Sequence, residues 1–319
     1  MPTLHAVMYH YIRDLPNTPF PRIKGMLVED FRRQVQWLAE NFEMATVESV
    51  LDFLKGDYEP KRDLCILTFD DAFKDHVDNA LPILAEHKVQ GVFGIITSSV
   101  EEQRVMPVHM NHFLAAALDF DQYKSEFIKM LNETTTAIRV DENEAQRSYP
   151  LDNREVAAFK FLVNFLVPVA TRDRIIGELF EKHLGSGDAF ARNLYMTWDE
   201  VRSLQNEGMS LAGHTHEHRP LSSLTAAELA QDLGRCRALL DQHALPQILW
   251  PFSYPYGKTN SYSCAVIERL QDTGFHCSFD TESGGNGRGA NLFALHRTDC
   301  NGAEAQLAKA RAFSQGSPS

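Results

Sequence analysis

Short apolar runs alternate with amphipathic segments along most of this 319-residue chain, and that alternation limits the possible folds most strongly. Residues 64–68 form a compact apolar run of the kind that makes a strand buried on both faces. Strands separated by helices predict a parallel sheet or a barrel. Strands are predicted at residues 4–9, 64–68, 91–97, 210–213, 248–254, 275–279 and 292–297.

Helical patterns fill the intervals between these strands. Apolar residues recur at helical spacing from Phe31 to Phe42, and capping boxes at Thr197–Glu200 and Thr225–Glu228 begin two further helices. From about residue 98 to residue 196 there are several predicted helices and hardly a strand. We therefore expect a helical insertion within a single domain that spans residues 1–319. Helices are predicted at residues 29–41, 47–55, 77–86, 111–118, 121–131, 153–166, 172–184, 225–243, 261–272 and 304–313.

Polar clusters follow directly after five of the predicted strands. In barrels of alternating strands and helices, the chemistry lies at the carboxyl ends of the strands. Five such clusters would meet at one mouth, which indicates an active site more strongly than any cluster alone. The clusters are Tyr9-His10, Asp70-Asp71, His214-Thr215-His216-Glu217-His218, Tyr254-Pro255-Tyr256-Gly257 and His296-Arg297.

Asp70 and Asp71 are adjacent carboxylates at a strand end, which repel each other unless a positive charge stabilises them. One interpretation is that they cap the following helix. A second interpretation gives them different chemical roles: one carboxylate binds a metal, and its neighbour takes a proton from a water bound to that metal.

The run from His214 to His218 contains three histidines in five residues. If the segment turns helically, His214 and His218 share a face, whereas in a strand His214 and His216 do. The spacing does not choose between these pairs, and a solvated polar loop is the plainer interpretation. Two imidazoles and one carboxylate form a common catalytic zinc site, and the same set suits non-haem iron.

The remaining clusters suggest parts of a pocket. The segment from Tyr254 to Gly257 is either a turn or a pocket wall whose backbone N–H groups lie near a developing oxyanion. His10 and His296 could reach the same mouth. The histidines that begin the insertion, His109 and His112, are assigned a structural role.

Composition excludes several classes of function. The chain has 31 Lys and Arg against 43 Asp and Glu, a net charge of -12, so neither nucleic acid nor an anionic membrane surface is an expected partner. No apolar run reaches the roughly 18 residues of a membrane helix, and no signal-peptide pattern is present. Five cysteines without a Cys-x-x-Cys pair suit reduced thiols, so a cytoplasmic protein is expected.

Three of these segments together resemble the polysaccharide deacetylase family, the NodB-homology domain of carbohydrate esterase family 4. The family motif T-F-D-D-G is matched by Thr68-Phe69-Asp70-Asp71-Ala72, and H-[S/T]-x-x-H by the run from His214 to His218. A third P-Y segment is matched by Pro255-Tyr256. The resemblance covers roughly residues 3–97 and 197–299, outside the helical insertion.

The resemblance implies a distorted (β/α)7-type barrel, a divalent metal that is usually zinc, and a substrate with an N-acetyl group on a sugar. It assigns Asp71, His214 and His218 as metal ligands and Asp70 as the general base. His296 is the best candidate for the general acid. The implied substrate-binding residues are His10, Pro255, Tyr256 and Arg297, since a Tyr-His pair like Tyr9-His10 occurs in the branch that acts on poly-N-acetylglucosamine.

The chain departs from the family pattern at three places. Ala72 replaces a glycine, so a left-handed backbone there would be strained. Ser253 stands where many members have an arginine that orients the base, which leaves that role unfilled. The late Leu-x-His motif has no clean match, and Arg297 stands where some members have a Pro-Arg pair.

The expected reaction is metal-dependent removal of an N-acetyl group from an amino sugar, a sugar precursor or a polysaccharide. A cytoplasmic enzyme would meet a nucleotide-linked or lipid-linked precursor more readily than a finished polymer. Three alternatives stay open: hydrolysis of a non-sugar amide or cyclic ureide, a sugar-binding relative without activity, and an iron oxygenase. The alternation of strands and helices opposes the last.

Overall fold

The structure is a computed structural model that describes residues 2–134, 138–150 and 152–315. Its strands are β1 (Leu4–Tyr9), β2 (Ile12–Arg13), β3 (Met26–Leu27), β4 (Glu43–Met44), β5 (Leu64–Phe69), β6 (Gly91–Ile95), β7 (Ser210–Gly213), β8 (Pro251–Ser253), β9 (Cys277–Phe279) and β10 (Arg297–Asp299). Its α-helices are α1 (Val28–Asn41), α2 (Val47–Lys55), α3 (Leu81–His87), α4 (Thr97–Glu101), α5 (Pro107–Ala117), α6 (Phe120–Asn132), α7 (Glu142–Ser148), α8 (Arg154–Phe161), α9 (Val169–Leu184), α10 (Gly187–Leu194), α11 (Trp198–Asn206), α12 (Ala226–His243), α13 (Cys264–Asp272) and α14 (Ala303–Gln315). Within these described ranges, no helix is both long enough and apolar enough to span a bilayer.

The chain divides into two compact units, which we call the barrel unit and the helical unit. The barrel unit consists of Met1–Asp14, Gly25–Arg104 and Ala191–Ser319. The helical unit consists of Leu15–Lys24 and Val105–Phe190. The boundaries therefore fall inside the 98–196 insertion expected from the sequence, and the helical unit also takes a short segment that precedes β3.

The barrel unit is built on seven parallel strands in the order β10-β1-β5-β6-β7-β8-β9. Leu295, just before β10, forms a parallel bridge with Phe279 of β9, so the ring of strands is nearly closed. The predicted (β/α)7-type barrel is confirmed. Because all the strands run in the same direction, their carboxyl ends lie at one end of the barrel.

Alternate residues of β1 and β5 belong to two different apolar clusters, as the two-residue period of a strand requires. Leu4 and Leu64, the first residues of β1 and β5, share one cluster with the buried face of α2. Val7 and Leu67 belong to the other, with the buried face of α1.

The helical unit is held by an aromatic cluster and by a capping arginine. Phe20 packs against Phe113 and Phe190, with ring centroids 5.0 and 5.7 Å apart. Arg22 donates from Nε to the Ala116 carbonyl at 2.9 Å and from Nη2 to the Leu118 carbonyl at 3.0 Å, at the end of α5. These contacts explain why the segment from Leu15 to Lys24 belongs to this unit.

Several predicted elements have different limits in the structure, and two of these differences have a clear physical cause. The helix expected at 77–86 is α-helical only from Leu81, after a π-helical turn at His76–Ala80, because Pro82 has no N–H to continue a regular ladder. The strand expected at 292–297 starts at Arg297 instead, since the Phe293 N–H bonds Asn291 Oδ1 at 2.9 Å and its carbonyl accepts from Tyr254.

Gly213, the last residue of β7, has no room for a side chain. A Cβ there would lie 2.6 Å from two ring carbons of Phe275, so Gly213→Ala is expected to lower the free energy of unfolding by about 1–3 kcal/mol. Gly234→Ala in α12 meets no atom within 4 Å and is expected to raise it by about 0.5–1 kcal/mol. Urea denaturation of both variants tests this, and equal effects of the two substitutions would contradict it.

Candidate metal centre

The two adjacent carboxylates follow β5 on a strained turn. Asp70 continues the ladder, because its N–H donates to the Tyr9 carbonyl at 2.9 Å. Asp71 and Ala72 then adopt φ of +83° and +56°. The left-handed region costs a residue with a Cβ about 1–2 kcal/mol, so the strain expected at Ala72 is present. The turn gives the two carboxylates different surroundings, although both are buried.

The histidine run begins directly after β7. The His214 N–H donates to the Ile95 carbonyl at 3.1 Å, and the Thr215 hydroxyl accepts from the His218 N–H at 2.9 Å. Thr215 and His218 have φ of +68° and +52°. The chain therefore turns sharply and brings His218 back beside His214, with their ring centroids 4.9 Å apart.

Asp71, His214 and His218 present three donor atoms to one point. Asp71 Oδ1 lies 3.3 Å from His214 Nε2 and 3.4 Å from His218 Nε2, and the three donor atoms lie within 4.8 Å of one another. Tetrahedral ligands at about 2.0–2.2 Å from a zinc ion are roughly 3.4 Å apart. The donor set therefore fits a divalent metal with room for a further ligand.

The hydrogen bonding of His214 fixes which nitrogen faces this point. His214 Nδ1 lies 2.7 Å from the Ser253 carbonyl, which can only accept, so Nδ1 carries the proton and Nε2 presents a lone pair. Burial alone would lower the pKa of His214, but the carboxylates of Asp70 and Asp71 outweigh it and raise that pKa. The site thus favours positive charge.

His216 faces away from this group. Its Nδ1 lies 3.0 Å from the Thr97 hydroxyl, and its Nε2 lies 3.6 Å from carboxylate oxygens of Glu102 and Glu217. His216 and these two glutamates also bring three donor atoms within 4.8 Å, but Arg104 pairs with both carboxylates. Of the two pairs left open by the spacing, the structure brings together His214 and His218 around Asp71.

Asp70 is paired with Arg297 inside the barrel. Arg297 Nη1 donates to Asp70 Oδ2 at 2.8 Å, and its Nε donates to the Asp280 carbonyl at 2.7 Å. Burial raises the pKa of Asp70, but Arg297 and His214 outweigh that effect and hold the pKa below its usual value. Asp70 is therefore ionised at neutral pH.

The enclosure of Arg297 corrects two expectations. Its side chain is 0% exposed, so Arg297 does not line a substrate surface. The arginine expected at position 253 is absent, and Arg297 from β10 pairs with Asp70 instead, with the Ser253 hydroxyl 3.4 Å from the same Nη1. The sequence placed Arg297 at the end of a predicted strand, whereas in the structure it is the first residue of β10.

Asp70 Oδ1 is left buried without a hydrogen-bond partner among the described residues. A buried carboxylate oxygen of this kind is costly unless something reaches it. Because Asp70 is ionised and oriented through its other oxygen, Oδ1 is the atom that is available to accept a proton.

His296 lies at the edge of the barrel unit, with its side chain 40% exposed and its Nδ1 3.1 Å from both oxygens of Asp280. Asp280 is fully buried and also accepts from the Tyr262 hydroxyl at 3.1 Å. Asp280 was missed in the sequence, although it follows β9 as the other polar residues follow their strands.

Two of the remaining predicted residues, Tyr256 and His10, interact with residues of this group, and Pro255 adjoins Tyr256. Tyr256 is 43% exposed, and its ring centroid lies 5.3 Å from that of His218, while Pro255 is buried. The carbonyl of His10 lies 2.9 Å from Nε2 of the buried His76, and the charge of His10 contributes to the low pKa of Asp70. His76 was not anticipated.

Comparisons with known proteins agree with the motifs. Residues 57–146 and 174–275 match the family model described as polysaccharide deacetylase. The putative polysaccharide deacetylase YxkH of Bacillus subtilis is 26% identical over 113 residues, which are 35% of this chain and 38% of that protein. The chain therefore matches little more than a third of the length of this curated relative.

Solved structures show the same fold at low identity. The deacetylase PplD of Streptococcus pyogenes, solved in complex with acetate, has a TM-score of 0.58 and 16% identity over 97% of this chain and 98% of its own. IcaB of Ammonifex degensii has a TM-score of 0.59 and 17% identity over 97% of each chain.

Removing the charge of Arg297 should destabilise the protein in a pH-dependent way. In Arg297→Met, Asp70 stays buried but loses the guanidinium that pairs with it. This is expected to lower the free energy of unfolding by about 3–5 kcal/mol near neutral pH. In the wild type the contribution of Asp70 is present above the ordinary Asp pKa of about 3.9 and is lost as the pH falls through its lower folded value. In the variant, burial without the guanidinium raises that pKa, so the folded variant takes up a proton as the pH falls. Its deficit in unfolding free energy relative to the wild type should therefore be smaller at about pH 5 than at about pH 8.

Denaturant unfolding at several pH values measures this deficit. The control is Arg174→Met, because Arg174 forms an exposed pair with Glu178 that is expected to contribute less than about 1 kcal/mol. A deficit for Arg297→Met that does not change between the two pH values would contradict the role of the Asp70 charge.

Proposed function

The chain belongs to the polysaccharide deacetylase family, and on that premise we propose that it is a metal-dependent hydrolase that removes N-acetyl groups from amino sugars of a polysaccharide. The observation that carries the proposal is the convergence of Asp71, His214 and His218 beside a second, ionised carboxylate, Asp70. A ligand set next to a free proton acceptor is what hydrolysis of an amide requires.

Asp71, His214 and His218 would hold the metal, and Zn²⁺ suits one carboxylate and two imidazoles best. A divalent ion bound there supplies Lewis acidity, which activates water and polarises the amide carbonyl. The Ser253 carbonyl keeps His214 in the tautomer that coordination needs. The chain's own part is to fix these three side chains and to place acid and base groups around them.

Asp70 acts as the general base in this proposal. Arg297 holds Oδ2 and keeps the carboxylate ionised, and Oδ1 takes the proton of the attacking water. The oxygen of that water forms a bond to the acetyl carbon, and the electron pair of the carbonyl moves onto its oxygen. The backbone N–H of Tyr256 is the group we assign to that oxyanion.

His296 is the group we assign as general acid. Its Nδ1 is held by the buried carboxylate of Asp280, so a proton on Nε2 is available for the leaving nitrogen. When the C–N bond breaks, the nitrogen takes this proton and leaves as the amine of the sugar. Acetate is the second product, and PplD, one of the similar proteins, holds acetate in its structure.

The family description favours a polymer over the sugar precursor expected from the sequence. His10, Pro255 and Tyr256 are the residues we propose to contact the sugar. Tyr256 offers an exposed aromatic ring beside His218, and a sugar ring can pack on such a surface. The identity of the metal as Zn²⁺ and the specificity for an N-acetylated sugar are parts of this proposal.

Metal binding should depend on two of the three histidines. His214→Ala and His218→Ala each remove a ligand and are expected to lose stoichiometric Zn²⁺, while His216→Ala, which faces Glu102 and Glu217, keeps it. Metal analysis of the three purified variants after dialysis measures this. Zn²⁺ retained by His218→Ala and lost by His216→Ala would reverse the assignment.

Asp70 should be needed for deacetylation but not for metal binding. The Zn²⁺-loaded wild type is expected to release acetate from N-acetylglucosamine oligomers, and Asp70→Asn to lose about 10²–10⁴ in kcat while binding Zn²⁺. Acetate release is measured over a panel that also includes nucleotide sugars, a simple amide and a cyclic ureide.

Two controls keep this test specific. A chelator should abolish acetate release, and Asp241→Asn, an exposed carboxylate in α12, should leave it unchanged. Turnover of the cyclic ureide alone would replace the proposed substrate class, and full activity of Asp70→Asn would remove Asp70 from the mechanism.

A further inference from the structure

A buried carboxylate of α12 holds the backbone between the two histidine ligands. Asp232 Oδ1 accepts the His216 N–H at 2.9 Å, and Asp232 Oδ2 accepts the Glu217 N–H at 2.9 Å. Both oxygens of one side chain are therefore used on two successive amides. The residues on either side of these amides, Thr215 and His218, have positive φ.

The position of Asp232 in its helix is unusual for an acid. The buried stripe of α12 otherwise consists of Leu229, Leu233, Cys236, Leu239 and Leu240, and Asp232 lies on it with 7% of its surface exposed. Acids are rarely buried without a partner, because burial penalises their charge. The two amides are partners that offset part of this penalty, so the carboxylate is placed to organise the loop.

The strained loop needs such an anchor. Non-glycine residues with positive φ cost free energy and persist only where their surroundings hold them. Other bonds add to the anchor, since Thr97 and Ser98 donate their N–H groups to the Thr215 and His216 carbonyls at 3.2 Å. Among the residues that the structure describes, Asp232 alone supplies acceptors to the amides of His216 and Glu217.

We propose that Asp232 is a positioning residue that sets the separation of His214 and His218 and thereby the affinity of the site for its metal. The inference rests on the proposed metal site. The two proposals predict different results, because Asp232 bonds the amides of His216 and Glu217, which are not proposed ligands, and acts through the loop backbone.

The test compares Asp232→Asn with the matched control Asp241→Asn. Asn keeps the size of the side chain and one of its two acceptors, so the fold should be retained. Asp241 lies on the same helix, is 55% exposed and pairs with Arg237. Competition titration with Zn²⁺, at a temperature where circular dichroism shows each variant folded, is expected to give about 10–100-fold weaker binding for Asp232→Asn and wild-type binding for Asp241→Asn.

A second readout does not involve metal. Amide hydrogen exchange at His216 and Glu217 in metal-free protein should be faster in Asp232→Asn than in the wild type, and unchanged in Asp241→Asn. Wild-type zinc affinity in a folded Asp232→Asn, even with a lower melting temperature, would overturn the proposal, because a merely structural role predicts that result. Unchanged exchange at both amides would also overturn it.

The two proposals fail in different ways. If the wild type did not bind Zn²⁺, the proposed function would fail, and hydrogen exchange would still decide whether Asp232 holds the loop. If the wild type bound Zn²⁺ and Asp232→Asn bound it equally well, the metal site would stand and the role of Asp232 would be rejected.

Discussion

Two carboxylates buried side by side at the end of β5 are the constraint on which the rest of the site depends. Neither can stay ionised in this position without positive charge beside it. Arg297 meets Asp70, whereas Asp71 faces the Nε2 atoms of His214 and His218, where a bound cation would supply the positive charge. This separation gives two neighbouring residues of the same type different chemistry, one suited to hold a cation and the other to accept a proton.

The backbone carries the strain of this arrangement. Seven non-glycine residues with positive φ occur in the described part of the chain, and five of them are in the loops after β5, β7 and β8. They are Asp71, Ala72, Thr215, His218 and Tyr256. Strain of this kind concentrates where surrounding structure enforces a geometry that the local sequence disfavours. Here the ring of strands supports the loops that carry Asp71, His214 and His218.

The sequence alone predicted the limits of an element correctly where its local signals agree with the fold. β1, β7 and α2 begin and end at the predicted residues, because their apolar runs, caps and turns all indicate the same limits. The motifs also identified Asp70, Asp71 and the histidine run. What the sequence did not supply is long-range pairing. Asp70 and Arg297 are separated by more than two hundred residues, and no local pattern says that one side chain crosses the barrel to meet the other.

The register of the strands explains how that crossing is possible. Arg297 of β10 lies opposite Ala6 of β1, and Ala6 lies opposite Ile66 of β5, so a methyl group stands between the arginine and the strand that leads to Asp70. On the far side, the small side chain of Ser253 leaves the space that the guanidinium fills. The small side chain of Ser253 and the long side chain of Arg297 are therefore both needed for the guanidinium to reach Asp70. The charge that a longer side chain on β8 could bring to Asp70 arrives from β10 instead, and this requires a ring of strands closed enough for β10 and β8 to reach the same interior.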